Sequence, residues 1–154
     1  MIERKRGAKA SRLRDAGGFI ALPWSVVDAK AFRQVSATAR ALLIELARQL
    51  DPGYTNNGRL LLTRKFLAPR GWRSADVISR AKKELLLAGL IHETVRGARP
   101  NKASWYAVTW HPLPHHPRYD PEANATFQRG AYAGNEGLSP RRVPRNTRLV
   151  RQTE

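Results

Sequence analysis

The change of hydrophobic period at Gly89 constrains how this chain can fold more than any other feature of its sequence. Before it, Ile78, Ala81 and Leu85 recur at the i, i+3, i+7 spacing of a helix with one buried face. Ser74 is a good N-cap for that helix, and Asp76 sits in its first turn, where a carboxylate suits the positive end of the helix dipole. After it, Leu90-Ile91-His92-Glu93-Thr94-Val95-Arg96 and Ser104-Trp105-Tyr106-Ala107-Val108-Thr109-Trp110 are rich in β-branched and aromatic residues that suit strands. Gly97-Ala98-Arg99-Pro100-Asn101-Lys102 lies between them and combines turn formers with cations. The pattern predicts a helix closed by Gly89 and then a hairpin with a basic tip, with Leu86, Leu90 and Ile91 carrying the core from one to the other.

Upstream segments supply partners for this unit. Thr63 caps a short helix over Arg64 to Ala68, which Pro69 and Gly71 terminate. Pro69-Arg70-Gly71-Trp72-Arg73 then reads as a tight turn between two helices, with Trp72 packed beneath it as an apolar plug. Ser36 caps a longer helix whose buried face is Ala39, Leu42, Leu43, Leu46, Ala47 and Leu50, and Asp51-Pro52-Gly53 stops it. Asn56-Asn57-Gly58 signals a tight turn before Arg59-Leu60-Leu61-Leu62, a short strand expected to pair with the hairpin. Phe19-Ile20-Ala21-Leu22-Pro23 leads into a short helix around Trp24 to Ala29. The expected fold class is α+β: a winged helix-turn-helix over residues 19–110, with a three-helix core and a small antiparallel sheet whose hairpin is the wing.

That architecture presents one helix face and the hairpin tip to a partner. Arg73, Ser74, Asp76, Val77, Ser79, Arg80 and Lys83 lie off the Ile78 stripe. In a major groove, Arg80 suits a bidentate contact to guanine and Val77 a thymine methyl, while Arg73 and Lys83 suit phosphates. Ser74 and the first N–H groups of the helix suit a phosphate at the dipole's positive end. On the hairpin, Arg96, Arg99, Asn101 and Lys102 form the basic tip, with Arg99 matched to a minor groove and Lys102 to its wall. The same cations also read as a solvated helix face and a soluble hairpin, but a basic hairpin directly after a basic helix favours contact. Trp105, Tyr106 and Trp110 alternate along a strand, so they are expected to split between core and surface rather than form a stacking platform.

Charge narrows the partner. The chain carries 28 Lys and Arg against 12 Asp and Glu, a formal +16 over 154 residues, which points to a polyanion and to nucleic acid ahead of an anionic membrane. No segment approaches the roughly 18 apolar residues of a spanning helix. Met1 to Arg14 is basic but lacks the apolar stretch of a secretory signal, and there is no cysteine. A cytoplasmic, nucleoid-associated protein is expected, with an Arg-rich transit peptide as the alternative reading of the start. No Gly-rich phosphate loop, nucleophile elbow or paired carboxylates appear, and Asp76, Glu84 and Glu93 read as helix-start, surface and strand charges. His111, His115 and His116 sit among Pro112, Pro114 and Pro117, with no cysteine to complete a tetrahedral set. The expectation is a protein that is not an enzyme and holds no metal or cofactor.

Residues 1–18 read as a flexible basic arm. The prolines at 112, 114, 117 and 121 mark the end of the domain at Trp110, and residues 111–154 read as a Pro-rich linker and a mostly disordered basic tail. A short helix over 122–132 is expected to dock on the domain through Phe127 and Tyr132.

Three segments carry a family resemblance: Phe19-Ile20-Ala21-Leu22-Pro23, Phe32-Arg33-Gln34-Val35-Ser36-Ala37-Thr38-Ala39-Arg40-Ala41-Leu42-Leu43, and Arg80-Ala81-Lys82-Lys83-Glu84-Leu85-Leu86-Leu87-Ala88-Gly89-Leu90-Ile91. Together they resemble the N-terminal winged-helix domain of plasmid and phage replication initiators, and the last also occurs in winged-helix transcription regulators. The resemblance implies sequence-specific binding of double-stranded DNA, often as a homodimer on repeated or palindromic sites. Carried over by position, it implies contacts from Ser74, Asp76, Val77, Arg80 and Lys83, with Arg99, Asn101 and Lys102 from the wing. Lys82 departs from the family in standing where an aliphatic residue is often buried, and no second folded domain is visible. A compact accessory protein or a transcriptional regulator therefore stays open beside an initiator. Two readings of other classes remain: an RNA-binding or ribonucleoprotein-associated module, and an adaptor that recruits a partner through Phe127 and Tyr132.

Overall fold

Side chains and prolines at the segment starts decide where the helices of this chain begin. The computed structural model describes residues 13–134; the first twelve residues of the expected arm and the tail beyond residue 134 lie outside the described residues. Seven α-helices and two strands occur within them: α1 (Trp24–Val27), α2 (Lys30–Gln34), α3 (Ala37–Arg48), α4 (Arg64–Leu67), α5 (Ala75–Leu87), β1 (Ile91–Val95), β2 (Trp105–Val108), α6 (Ala123–Thr126) and α7 (Ala131–Gly134). The architecture is α+β. Ser36, Thr63 and Ser74 each turn a side-chain oxygen onto a backbone N–H of the first turn that follows, those of Ala39, Phe66 and Val77. Pro23 precedes α1 in extended conformation. The single helix expected from Trp24 to Ala29 is instead two, because Ala29 is extended and restarts the chain as α2. The last carbonyls of α2 are not orphaned: Arg40 donates to Phe32 O at 3.0 Å and to Arg33 O at 2.7 Å.

The centre of the core is the contact between α3 and α5. Leu42, Leu43 and Leu46 of α3 and Leu85 of α5 are fully buried, with Ala39, Ile78 and Ala81 between them. Each such leucine contributes about 1.5–3 kcal/mol by leaving water. Val26, Val35, Leu60, Leu67 and Leu90 belong to the same buried cluster. The short α4 runs into a 3-10 turn over Ala68–Arg70, ended by Gly71 in the left-handed region. Beneath that turn Trp72 packs against the core as expected, its indole N–H reaching Glu45 Oε1 at 3.4 Å, while Arg70 pairs with the same carboxylate.

β1 and β2 form an antiparallel hairpin in the register Ile91↔Val108, His92↔Ala107, Glu93↔Tyr106 and Val95↔Trp105, with Thr94 bulged out of step. The expected third strand at Arg59 to Leu62 contracts to one bridge, Leu60 with Tyr106. Two side-chain amides explain why. Gln49 takes both backbone groups of Leu61, at 2.8 and 2.9 Å, where a strand would turn them toward a neighbour. Two residues along β2, the wholly buried Asn57 occupies the next position: its Oδ1 accepts from Val108 N–H at 2.9 Å and its Nδ2 donates to Val108 O at 3.1 Å. Asn57 thus stands in for a strand peptide.

The expected domain end at Trp110 is corrected, because the chain packs on through residue 134. Tyr119 donates its hydroxyl to Asn57 O at 3.1 Å, and Asp120 N–H donates to Thr94 O at 2.9 Å. Gly58 makes room for this return: its φ is +99°, and a Cβ there would collide with the Tyr119 hydroxyl. The helix expected over 122–132 is broken into α6 and α7, with Phe127 extended and Gly130 at φ +74° between them. Gly130 N–H donates to Thr109 O at 2.7 Å, which fixes the break. Docking follows the expected side chains: Tyr132 joins the core cluster, and Phe127 meets the His92 ring edge-on with centroids 5.5 Å apart.

Candidate nucleic-acid interface

A capped amphipathic helix must expose whatever its buried stripe leaves over. On α5 that face shows Arg73, Ser74, Asp76, Arg80 and Lys83 exposed, whereas Val77 and Ser79 are half-buried. Ser74 is occupied as the cap, its Oγ accepting from Val77 N–H at 3.3 Å, and the first-turn N–H groups that it does not take have no acceptor within the helix. Asp76 and Arg80 form an i, i+4 ion pair at 3.0 Å with both side chains well exposed, at 76% and 69%. Such a pair contributes only a few tenths of a kcal/mol, so a stronger acceptor can take the guanidinium from it.

Glu84, expected as a surface charge, is corrected: it turns inward to the start of α3. Its Oε2 accepts from Ser36 N–H at 2.7 Å and its Oε1 from the Ser36 hydroxyl at 2.9 Å. A signal for this existed. In a capping box the third residue after the cap is Glu or Gln and reaches back to the cap's own N–H, but here that residue is Ala39. The unsatisfied N–H finds its carboxylate on another helix.

The hairpin tip is held by backbone bonds between Ala98 and Lys102, both at 2.9 Å, so Arg99, Pro100 and Asn101 form its apex. Gly97 lets the two arms of the tip approach closely, since a Cβ there would meet Lys102 O at 2.7 Å. Arg99 and Asn101 are exposed at the tip. Arg96 and Lys102 lie lower and are partly committed. Arg96 Nε is 3.7 Å from Glu93, and Lys102 Nζ is 3.8 Å from Asp120. Asp120 also accepts from Arg96 N–H at 2.6 Å, so one carboxylate pins both edges of the hairpin base.

The sequence-expected residues therefore fall into two groups, Arg73 to Lys83 on α5 and Arg96 to Lys102 on the hairpin. Both elements spring from the corner at Ala88 to Leu90, and no hydrogen bond or ion pair joins the two groups among the described residues. Arg118 was read as part of a linker, yet its guanidinium lies over the Trp105 ring, 4.9 Å from the centroid. His116 meets the same ring edge-on at 5.3 Å. Val95, Asn101, Lys102, Ala103, Trp105 and Arg118 line a cleft of about 340 Å³.

The three clustered histidines diverge. His111 stacks on Tyr54 at 3.8 Å, His116 joins Trp105, and His115 is exposed. Among the described residues no group of three or more His, Cys, Asp or Glu side chains is placed to hold a metal ion. No helix among them is long and apolar enough to cross a membrane. No protein-family model matches the sequence, and neither a curated protein nor a solved structure matches it.

Proposed function

We propose that this chain is a winged helix-turn-helix protein that binds double-stranded DNA in a sequence-specific way, α5 entering the major groove and the β1–β2 hairpin acting as the wing. One observation carries the reading: a capped helix with an exposed face of Arg73, Ser74, Asp76, Arg80 and Lys83 passes through a single tight corner into a hairpin whose apex is Arg99-Pro100-Asn101. The formal charge of +16 supplies the sequence-independent part of the affinity. On this reading α4, the Ala68–Arg70 turn and α5 are the helix-turn-helix, and α3 is the supporting helix behind it. The biological task that fits is initiation or accessory work in plasmid- or phage-type replication, with transcriptional control by the same surface as the second reading.

Selection of bound sequences from a random duplex pool tests the proposal. A defined consensus is expected, weakened and blurred by Arg80→Ala and by Arg99→Ala. Unchanged affinity and unchanged site preference in both variants would sink it. Tighter binding to structured RNA that survives those substitutions would move the function to another class.

A further inference from the structure

Strand alternation sends Trp105 to the face of the hairpin opposite Tyr106, whose ring is buried in the core. Trp105 is only partly covered, and what covers it is polar: the Arg118 guanidinium over its face and the edge of His116. The cleft beside it has an apolar floor of Val95, Ala103 and Trp105 and a rim of Asn101, Lys102 and Arg118. The segment that delivers Arg118 is fixed at several points. Arg118 N–H donates to His116 Nδ1 at 3.1 Å, Tyr119 is tied to Asn57, and Asp120 is tied to Thr94 and Arg96. The rim is therefore built by the fold.

An aromatic face flanked by two cations and an amide fits a planar base with a phosphate attached. At about 340 Å³ the cleft is near the lower bound of small-ligand sites, room for one nucleotide and not for a run of them. Within a duplex both faces of every internal base are already stacked, so an unpaired nucleotide offers Trp105 the face that a continuous duplex does not. The Lys102–Asp120 pair at 3.8 Å is long and partly exposed, so a phosphate competes with it readily.

We propose that this cleft binds one unpaired nucleotide of a DNA strand, its base taking the place of the exposed Arg118 guanidinium on the Trp105 face and its phosphate held between Lys102 and the displaced Arg118. The site deepens the duplex-binding reading, on which it rests, by giving the wing a second kind of contact where strands separate or end.

Fluorescence anisotropy of the full chain with a labelled oligothymidylate and with a selected duplex tests it. Trp105→Leu and Arg118→Ala are each expected to weaken the single strand about fivefold or more while changing duplex affinity less than about twofold. Trp105→Phe keeps most of the binding, because a stacking face remains. Arg80→Ala is expected to do the reverse, weakening the duplex and sparing the single strand. If thermal melting shows that Trp105→Leu is unfolded, Arg118→Ala, altered at an exposed side chain, decides. The cleft proposal is overturned by absent single-strand binding, by no loss in Arg118→Ala, or by equal losses on both probes. If the cleft variants behave as expected and Arg80→Ala leaves the duplex unaffected, the duplex reading fails and the cleft stands.

Discussion

Glu84 on α5 completes the N-terminal cap of α3 by accepting both the N–H and the hydroxyl of Ser36, at 2.7 and 2.9 Å. The same hydroxyl accepts from Ala39 N–H at 3.1 Å, so one serine closes its own helix while gripping another. The angle and depth at which α5 sits against α3 are then set by a polar contact as well as by the Leu42, Leu46 and Leu85 packing.

Glu84→Ala is expected to cost about 1.5–3 kcal/mol of stability, since it removes two charge-assisted hydrogen bonds from a half-buried position. Ser36→Ala is expected to cost about 0.5–2 kcal/mol. Because the two side chains act on one another, the double variant should fall short of the sum by at least about 0.5 kcal/mol. Urea unfolding of the four proteins measures this, and strict additivity would show that the bond between the Ser36 hydroxyl and the Glu84 carboxylate contributes nothing of its own.

Helices α3 and α5 were legible because their information is local: an N-cap, a stripe at helical spacing and a stop. So were the hairpin and its apex, from strand composition and turn chemistry between Gly89 and Trp110. The rest depends on partners far away in the chain. Nothing near Asn57 announces that its amide will replace a strand next to Val108, 51 residues on. Four prolines within ten positions describe an irregular path equally well whether it is free or pinned, and only Thr94, Arg96 and Asn57 decide that it is pinned. The exposed cations of the candidate site followed from the helix period. Arg118 did not, because it reaches Trp105 through a tertiary return.

Asn57 gives a prediction in which a change of one heavy atom matters. Its Nδ2 donates to the carbonyls of Val108 and Pro112, at 3.1 and 3.0 Å. Asn57→Asp points a carboxylate oxygen at those carbonyls in a fully buried site, which raises that carboxyl's pKa in the folded state. A raised folded-state pKa means the native protein holds the proton more tightly than the unfolded chain does. The loss of stability relative to the natural sequence, expected at about 3 kcal/mol or more near neutral pH, should therefore shrink as pH falls toward 5. Unfolding midpoints across pH check it, and a loss that does not vary with pH would contradict the buried-amide role.

Acid should weaken the fold through two histidines. Burial holds His92 below its ordinary 6.5, outweighing the hydrogen bond to Ala123 O. Burial, followed by the charge of Arg129, does the same to His111. In each case the unfolded chain takes up a proton more readily than the native one, so stability is full above about pH 6.5 and declines as pH falls below it. His92→Gln, which keeps a donor for Ala123 O, should flatten that decline between about pH 7 and 5. Thermal melts of both proteins over this range decide; parallel curves would place the acid sensitivity elsewhere.

The Asp76–Arg80 pair sets up the sharpest test of the proposed duplex contact. If α5 reads bases, Arg80 leaves a weak exposed partner for guanine, and Arg80→Ala should cost about 1–3 kcal/mol on the best duplex but much less on random sequence. Asp76→Asn should do the opposite. It removes a negative charge from a face that approaches phosphates and frees Arg80 from its tether, so binding to random duplex is expected to tighten by about threefold while discrimination narrows. Lys83→Ala touches neither partner of the pair and should lower affinity on all duplexes alike, with the salt slope reduced by about 0.9 because one phosphate fewer is neutralised. Titrations at several salt concentrations on matched and random duplexes separate the three. Equal losses on both duplexes for Arg80→Ala would make that side chain one more phosphate clamp and move base reading to another element.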